Sequence, residues 1–219
     1  MPKSLDLYLI ATRNSRSILF SPPQAIAEFE EESKDRIVQT IEWFKRHRSR
    51  VLAWFGRVLE RGHEYYSKLE DRIDPGERVL KAMASVQEYV VYHGLPHDSV
   101  DPKMRYRTIL RRLRLKHSVW FGVDLAVSAV ALVFTPILAP IPGPNFFLYF
   151  PMLRMLSHFR GMRGAKSGLH SVKIEFKYFP DLAVLEENLR TPLLDRRTII
   201  AMAEGLNIRG LEQFLERMV

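Results

Sequence analysis

Asp124 is the residue whose chemistry most needs explaining. It is the only charged side chain in the 35 residues from Val119 to Leu153, and an acid inside an apolar run is costly unless it is paired or used. Downstream, Pro140, Pro142, Gly143, Pro144 and Asn145 break helical hydrogen bonding and permit a reversal of the chain. A reversal centred near Pro142 puts the partner level with Asp124 near position 160, which brings His158 and Arg160 into reach, with Arg154 close by. A carboxylate facing an imidazole is a pair suited to proton coupling, because histidine titrates near neutral pH. A carboxylate facing Arg160 or Arg154 is instead a structural bridge that holds a hairpin closed. Both readings fit the residues.

Other chemistry is sparse. The chain has no cysteine, which excludes disulfides, thiolate metal sites and cysteine nucleophiles. His93 and His97 are four apart, but Gly94 and Pro96 between them prevent the regular helix that would aim both at one metal. The segment from Gly161 to Ser167 has the glycines and lysine of a phosphate loop without its spacing or a preceding strand. No nucleophile elbow is present. The expectation is a protein that is not an enzyme, with no metal and no cofactor.

The surroundings of Asp124 say more. Lys103, Arg105, Arg107, Arg111, Arg112, Arg114 and Lys116 precede the apolar run with no acid among them, and Arg154, Arg160, Arg163 and Lys166 follow it, again without one. These eleven cations exceed the net charge of +8 of the whole 219-residue chain, so the basicity brackets the apolar segment. Like-charged flanks at both ends are the pattern of a membrane hairpin with both feet on one side. Arg107, Arg111, Arg112, Arg114, Lys116, Arg163 and Lys166 are then expected to contact anionic lipid headgroups. Nucleic acid is not the expected partner, since few aromatics interleave with these cations. The first limb, Val119 to Thr135, is about 25 Å long as a helix and can span. The second has only nine residues before Arg154, short of the about 20 that a crossing needs. Partial insertion, an oligomer that hides Arg154, and a soluble protein with the hairpin buried as core are the three ways out.

The elements that must position this segment are mostly helices. Ser21-Pro22-Pro23-Gln24 and Asp74-Pro75-Gly76-Glu77 are capping residues followed by proline at the first helical position, and Asp101-Pro102 and Thr191-Pro192 repeat the device. They predict a long amphipathic helix from Pro22 towards Leu69, another from Pro75 to Tyr92, the hairpin, and short helices after Asp181. Leu5 to Thr12 and Ser17 to Ser21 read as a β-hairpin, and Lys173 to Phe179 alternates as a half-buried strand. The expected fold is α+β and mostly α-helical, with a small antiparallel sheet made from the N-terminal hairpin and strand 173–179. Three regions follow: 1–102 with strands and helices, 103–170 as the basic-flanked hairpin, and 171–219 with a strand and short helices.

Mean hydropathy of −0.13 excludes a protein buried in lipid throughout. Met1 to Ala11 alternates like a strand and has the character of neither a secretory signal nor a mitochondrial presequence. The expected location is the inner (cytoplasmic) membrane with most of the chain on the cytoplasmic side, or the mitochondrial inner membrane if the source is eukaryotic.

The run Leu138-Ala139-Pro140-Ile141-Pro142-Gly143-Pro144-Asn145, then Phe146-Phe147-Leu148-Tyr149-Phe150 and Arg154-Met155-Leu156-Ser157-His158, resembles the mitochondrial K+–H+ exchange-related family. The close similarity covers Lys116 to Gly168, with a looser match in the N-terminal strands. The resemblance implies membrane association and a link to potassium–proton exchange. One and a half spans cannot enclose an ion path in a monomer, so the expected role is an accessory or oligomeric component of cation (K+)/proton homeostasis, with a homo-oligomer or a membrane protein as partner. The alternative is a soluble basic helical interaction protein, for an acidic partner or nucleic acid, with the hairpin as its core.

Overall fold

In the computed structural model, residues 4–12, 17–29, 75–95, 101–138, 145–171, 173–190 and 195–218 are described, with isolated positions between residues 39 and 46. Strand β1 (Ser4–Ala11) places Leu5, Leu7 and Leu9 on one face at 0–1% exposure, as a period-two strand must. Strand β2 (Ser17–Phe20) pairs with it antiparallel, Tyr8 opposite Phe20. Helix α1 (Pro75–Met83) follows, then strand β3 (Glu88–His93). Helices α2 (Pro102–Leu138) and α3 (Asn145–His170) form the hairpin, and β4 (Lys173–Tyr178) comes after it. Helices α4 (Pro180–Arg190), α5 (Arg196–Gly205) and α6 (Leu211–Met218) complete the described chain.

The α+β, mostly helical class holds, but the sheet is mixed and not antiparallel. Its order is β2-β1-β3-β4, with β3 parallel to β1 and β4 parallel to β3. Strand β4 therefore lies beside β3, Glu88 opposite Lys173, and does not pair with the N-terminal hairpin. The reason is the connection. Parallel neighbours need a long crossover, and α2 with α3 supplies one. The helix expected from Pro75 to Tyr92 is also shorter than its apolar spacing suggested. It ends at Met83, where Ala84 and Ser85 bond back to Lys81 and Ala82, and Tyr89-Val90-Val91-Tyr92 enters the sheet, where aromatic and β-branched side chains fit best. Of the helix expected from Pro22 towards Leu69, residues 23–29 are helical and most of the remainder lies outside the described residues. Helix α2 continues through Pro136, expected as a breaker, to Leu138.

Two layers cover the sheet. On one face Leu5, Leu7, Leu9, Tyr89 and Val91 pack with Leu80 and Met83 of α1, Tyr106 and Leu110 of α2, and Ala165 of α3. On the other, Ile10 and Phe20 meet Leu182, Leu185 and Leu189 of α4, Ile199 of α5, and Leu211 and Phe214 of α6. Each such fully buried side chain contributes about 1.5–3 kcal/mol. The Tyr89 hydroxyl binds the first layer together, lying 2.9 Å from the Met83 carbonyl, 2.8 Å from that of Val86 and 3.1 Å from the Ser167 hydroxyl. The base of the hairpin is thus locked to the sheet.

The fit of α1 against α3 depends on glycine. A Cβ on Gly164 would sit 1.7 Å from the Leu80 carbonyl oxygen, and one on Gly168 would meet Met83, Leu110 and the Tyr106 hydroxyl. The segment weighed above as a phosphate loop is helical throughout, and its small residues serve close packing.

Candidate functional site

The face that α2 turns to α3 changes character along its length. Tyr106 and Leu110 are buried near the sheet, and His117, Asp124 and Ser128 occupy the same face further out, all at 9% exposure or less. Spacings of four and seven residues keep them on one seam. The outer surface of the same segment is apolar: Val119, Trp120, Val123, Leu125, Val127, Val130 and Val133 on α2, and Leu156 and Phe159 on α3, are exposed. Polar inside and apolar outside inverts the usual arrangement of a helix pair in water.

Asp124 Oδ2 lies 3.6 Å from Arg154 Nε and 3.5 Å from His158 Nε2. These are ion-pair distances. Neither Asp124 Oδ2 nor His158 Nε2 has a hydrogen-bond partner among the described residues. The other nitrogen of His158, Nδ1, is 3.0 Å from Nδ1 of His117. His117 fits because position 161 is glycine, where a Cβ would come within 3.1 Å of its ring. Trp120 stacks on His158 with centroids 6.4 Å apart and also lies under the Arg154 guanidinium, 5.4 Å from its ring centre.

The polar groups continue into α1. The Ser157 hydroxyl donates to Glu77 Oε1, and Lys81 Nζ is 3.4 Å from the same oxygen. Burial raises the Glu77 carboxyl, but the Ser157 hydroxyl, the Lys81 ammonium and charge on His117 and His158 outweigh it, leaving the group below its ordinary 4.5. The unfolded chain then holds the proton more tightly than the folded one. The stability that Glu77 contributes is full above about pH 4.5 and is lost as the pH falls through the lower folded value. Glu77→Gln is expected to cost about 1–3 kcal/mol at neutral pH. Urea unfolding of the two proteins should converge as the solution is acidified; parallel curves at all pH values would contradict the assignment. For His158, burial leads and lowers the imidazole below its ordinary 6.5, with Arg154 and Lys116 adding to it against Glu77 and Asp124.

Of the residues singled out in the sequence, the fold brings Asp124, His158 and Arg154 together. Arg160 is half-buried further along α3. Pro140, Pro142, Gly143 and Pro144 lie outside the described residues, and Asn145 opens α3. Arg107, Arg111, Arg112, Arg114, Lys116, Arg163 and Lys166 are all exposed. Sequence reasoning did not place His117, Glu77, Ser157 or Gly161 in this site. His117 stands seven residues before Asp124 and was legible as a seam position; Glu77, 80 residues from Ser157, carries no local signal.

The expectation that the first limb can span a membrane does not hold: among the described residues no helix is long and apolar enough to cross one. Helix α2 begins in the basic stretch and carries Asp124, and α3 carries Arg154 within its apolar half, so neither offers an uninterrupted apolar stretch.

Fold and seam together define an α+β protein in which a basic-flanked helical hairpin, polar along its closed seam, connects two parallel strands. Residues 7–171, from β1 to just beyond the end of α3, match the family described as mitochondrial K+-H+ exchange-related, and the chain belongs to that family. No curated protein and no solved structure matches it.

Proposed function

We propose that this protein is a membrane-associated component of K+/H+ homeostasis, acting as an accessory or oligomeric part and neither as a monomeric exchanger nor as an enzyme. The observation that carries the reading is the inverted hairpin. Its exposed valines, Trp120 and Phe159 suit acyl chains, while Asp124 is buried in the seam beside Arg154 and His158. The exposed cations beside it suit anionic headgroups, at about 1 kcal/mol for each residue near the surface. In this reading the hairpin enters the bilayer partway, since no helix among the described residues is long and apolar enough to cross it. The family name supports the exchange link and a mitochondrial location in a eukaryotic source; the inner membrane there, or the cytoplasmic membrane of a bacterium, is the place this reading gives it.

Membranes from cells expressing the protein, washed with high salt and then alkaline carbonate, test this. The protein is expected to stay in the pellet through both washes. Release by salt alone would leave only surface binding and favour the soluble alternative with an acidic partner. Replacing Arg111, Arg112 and Arg114 with glutamine is expected to weaken binding to anionic vesicles and leave binding to neutral ones unchanged.

A further inference from the structure

We propose that β4 is a dimerisation edge, which pairs antiparallel with β4 of a second copy of this chain about a two-fold axis at Phe176. The inference rests on the oligomeric reading above, to which it gives an interface, and does not require the membrane.

The sheet ends on an exposed strand. Its order closes with β4, and no strand among the described residues pairs with the outer side of β4. The opposite edge is β2, only four residues long with Leu19 and Phe20 buried. Strand β4 has six residues, and Lys173, Glu175, Lys177 and Tyr178 are exposed. An exposed edge of this length is a template for another strand.

One bond sets the phase of the backbone. Phe179 N–H donates to the His93 carbonyl at 2.9 Å, which extends the β3–β4 ladder past the end of β4. In a parallel ladder alternate residues turn both backbone groups to the same neighbour. Counting back from Phe179, Lys177 and Glu175 turn theirs to β3, and Phe176 and Ile174 turn theirs outward. A two-fold axis at Phe176 sets that residue opposite its own copy, where the two exchange N–H···O bonds.

Charge selects the register. Residues directly opposite each other share a face, so a two-fold axis normal to the sheet keeps both faces continuous only if it passes through a residue. With the axis at Phe176, Glu175 stands opposite Lys177 of the second copy, and Lys177 opposite Glu175. Glu175 and Lys177 already pair within one strand at 3.3 Å, so the dimer closes a ring of four alternating charges. On the other face Ile174 stands opposite Tyr178. Moving the axis to Glu175 sets that carboxylate against itself and Lys173 against Lys177. An axis at Lys177 sets lysine against lysine, and like charges directly opposite are destabilising. An axis at Ile174 leaves only Lys173 to Glu175 of β4 in the pairing. Strand β4 is therefore complementary to itself in one register along its length.

The full chain in mild detergent tests this, with its mass read by sedimentation. Twice the mass of one chain is expected. Glu175→Lys sets lysine opposite lysine at both sites and should weaken dimerisation by at least about tenfold; Lys177→Glu should do the same with carboxylates. The two changes in one chain restore opposite charges and should restore the dimer. Both positions are exposed, so the fold does not depend on them. A wild-type monomer, or a dimer indifferent to both single changes, would overturn the proposal. Since the chain has no cysteine, cross-linking checks the register. Glu175→Cys chains mixed with Lys177→Cys chains and mildly oxidised should join, while either kind alone should not. Glu175→Cys chains that join one another would place the axis at Glu175 and sink the register argued from charge. A monomer that stays in the membrane pellet defeats this proposal alone, and a dimer that salt releases defeats the membrane reading alone.

Discussion

Gly164→Ala is expected to destabilise the protein by about 2 kcal/mol or more, although alanine is the better helix former. The added methyl would sit 1.7 Å from the Leu80 carbonyl oxygen. A backbone oxygen in the middle of α1 cannot rotate away as a side chain can, so α1 and α3 must move apart and loosen Leu80, Met83 and Ala165. Overpacking of this kind costs about 1–3 kcal/mol and sometimes more, against a gain of up to about 1 kcal/mol from helix propensity. Two companions calibrate the result. Gly122→Ala, with open space around its Cβ, should stabilise by up to about 1 kcal/mol. Gly168→Ala should fall between them, because the atoms it meets are the movable ends of Met83, Leu110 and Tyr106. Chemical unfolding of the three variants checks the order; a Gly164→Ala protein as stable as Gly122→Ala would mean that α1 does not rest on α3.

Glu186→Ala is expected to cost about 2–4 kcal/mol, because it strips the acceptor from two buried backbone donors. The carboxylate accepts from Ala11 N–H at 3.1 Å, at the end of β1, and from the N–H of Gly94, just past the end of β3. It thereby closes the sheet where its parallel strands terminate. Burial pushes this carboxyl above its ordinary 4.5, against the hydrogen bond from Ala11 and the charges of Arg105 and Arg190. The folded protein therefore binds this proton more tightly than the unfolded chain does. The contribution of Glu186 is largest below pH 4.5 and declines as the pH rises through its folded value, the opposite sense to Glu77. Glu186→Gln, which keeps one acceptor, should cost less than the alanine change and remove that slope from stability measured against pH.

What could be read from the sequence was what short-range pattern encodes. Lys173 to Tyr178 alternates, and it is a strand. The proline-initiated helices begin at Pro75 and Pro102, where a proline at the first helical turn costs no hydrogen bond. Counting back from the turn placed His158 near Asp124. The failures were of another kind. Val79, Leu80, Met83, Val86 and Tyr89 keep a helical spacing across the point where α1 stops, and only the sheet decides that Tyr89 belongs to a strand. Which edge β4 joins is settled by the path of the hairpin, a property of some eighty residues that no local window contains. The contacts of Gly164 and Glu77 are likewise with partners far off in the chain, so their residue types carried no readable signal.

Strands β3 and β4 are neighbours in the sheet, yet all of α2 and α3 lies between them in the chain. A ribosome making this chain therefore releases the apolar hairpin while the edge of the sheet is still open. The Ile174 and Phe176 that close the first core layer arrive only afterwards. For that interval the hairpin has no finished sheet to anchor it, and its exposed valines are available to whatever apolar phase is nearby. Pairing between strands so distant is slow to form, so the order of synthesis gives the hairpin time to find its surroundings before its two ends are drawn together.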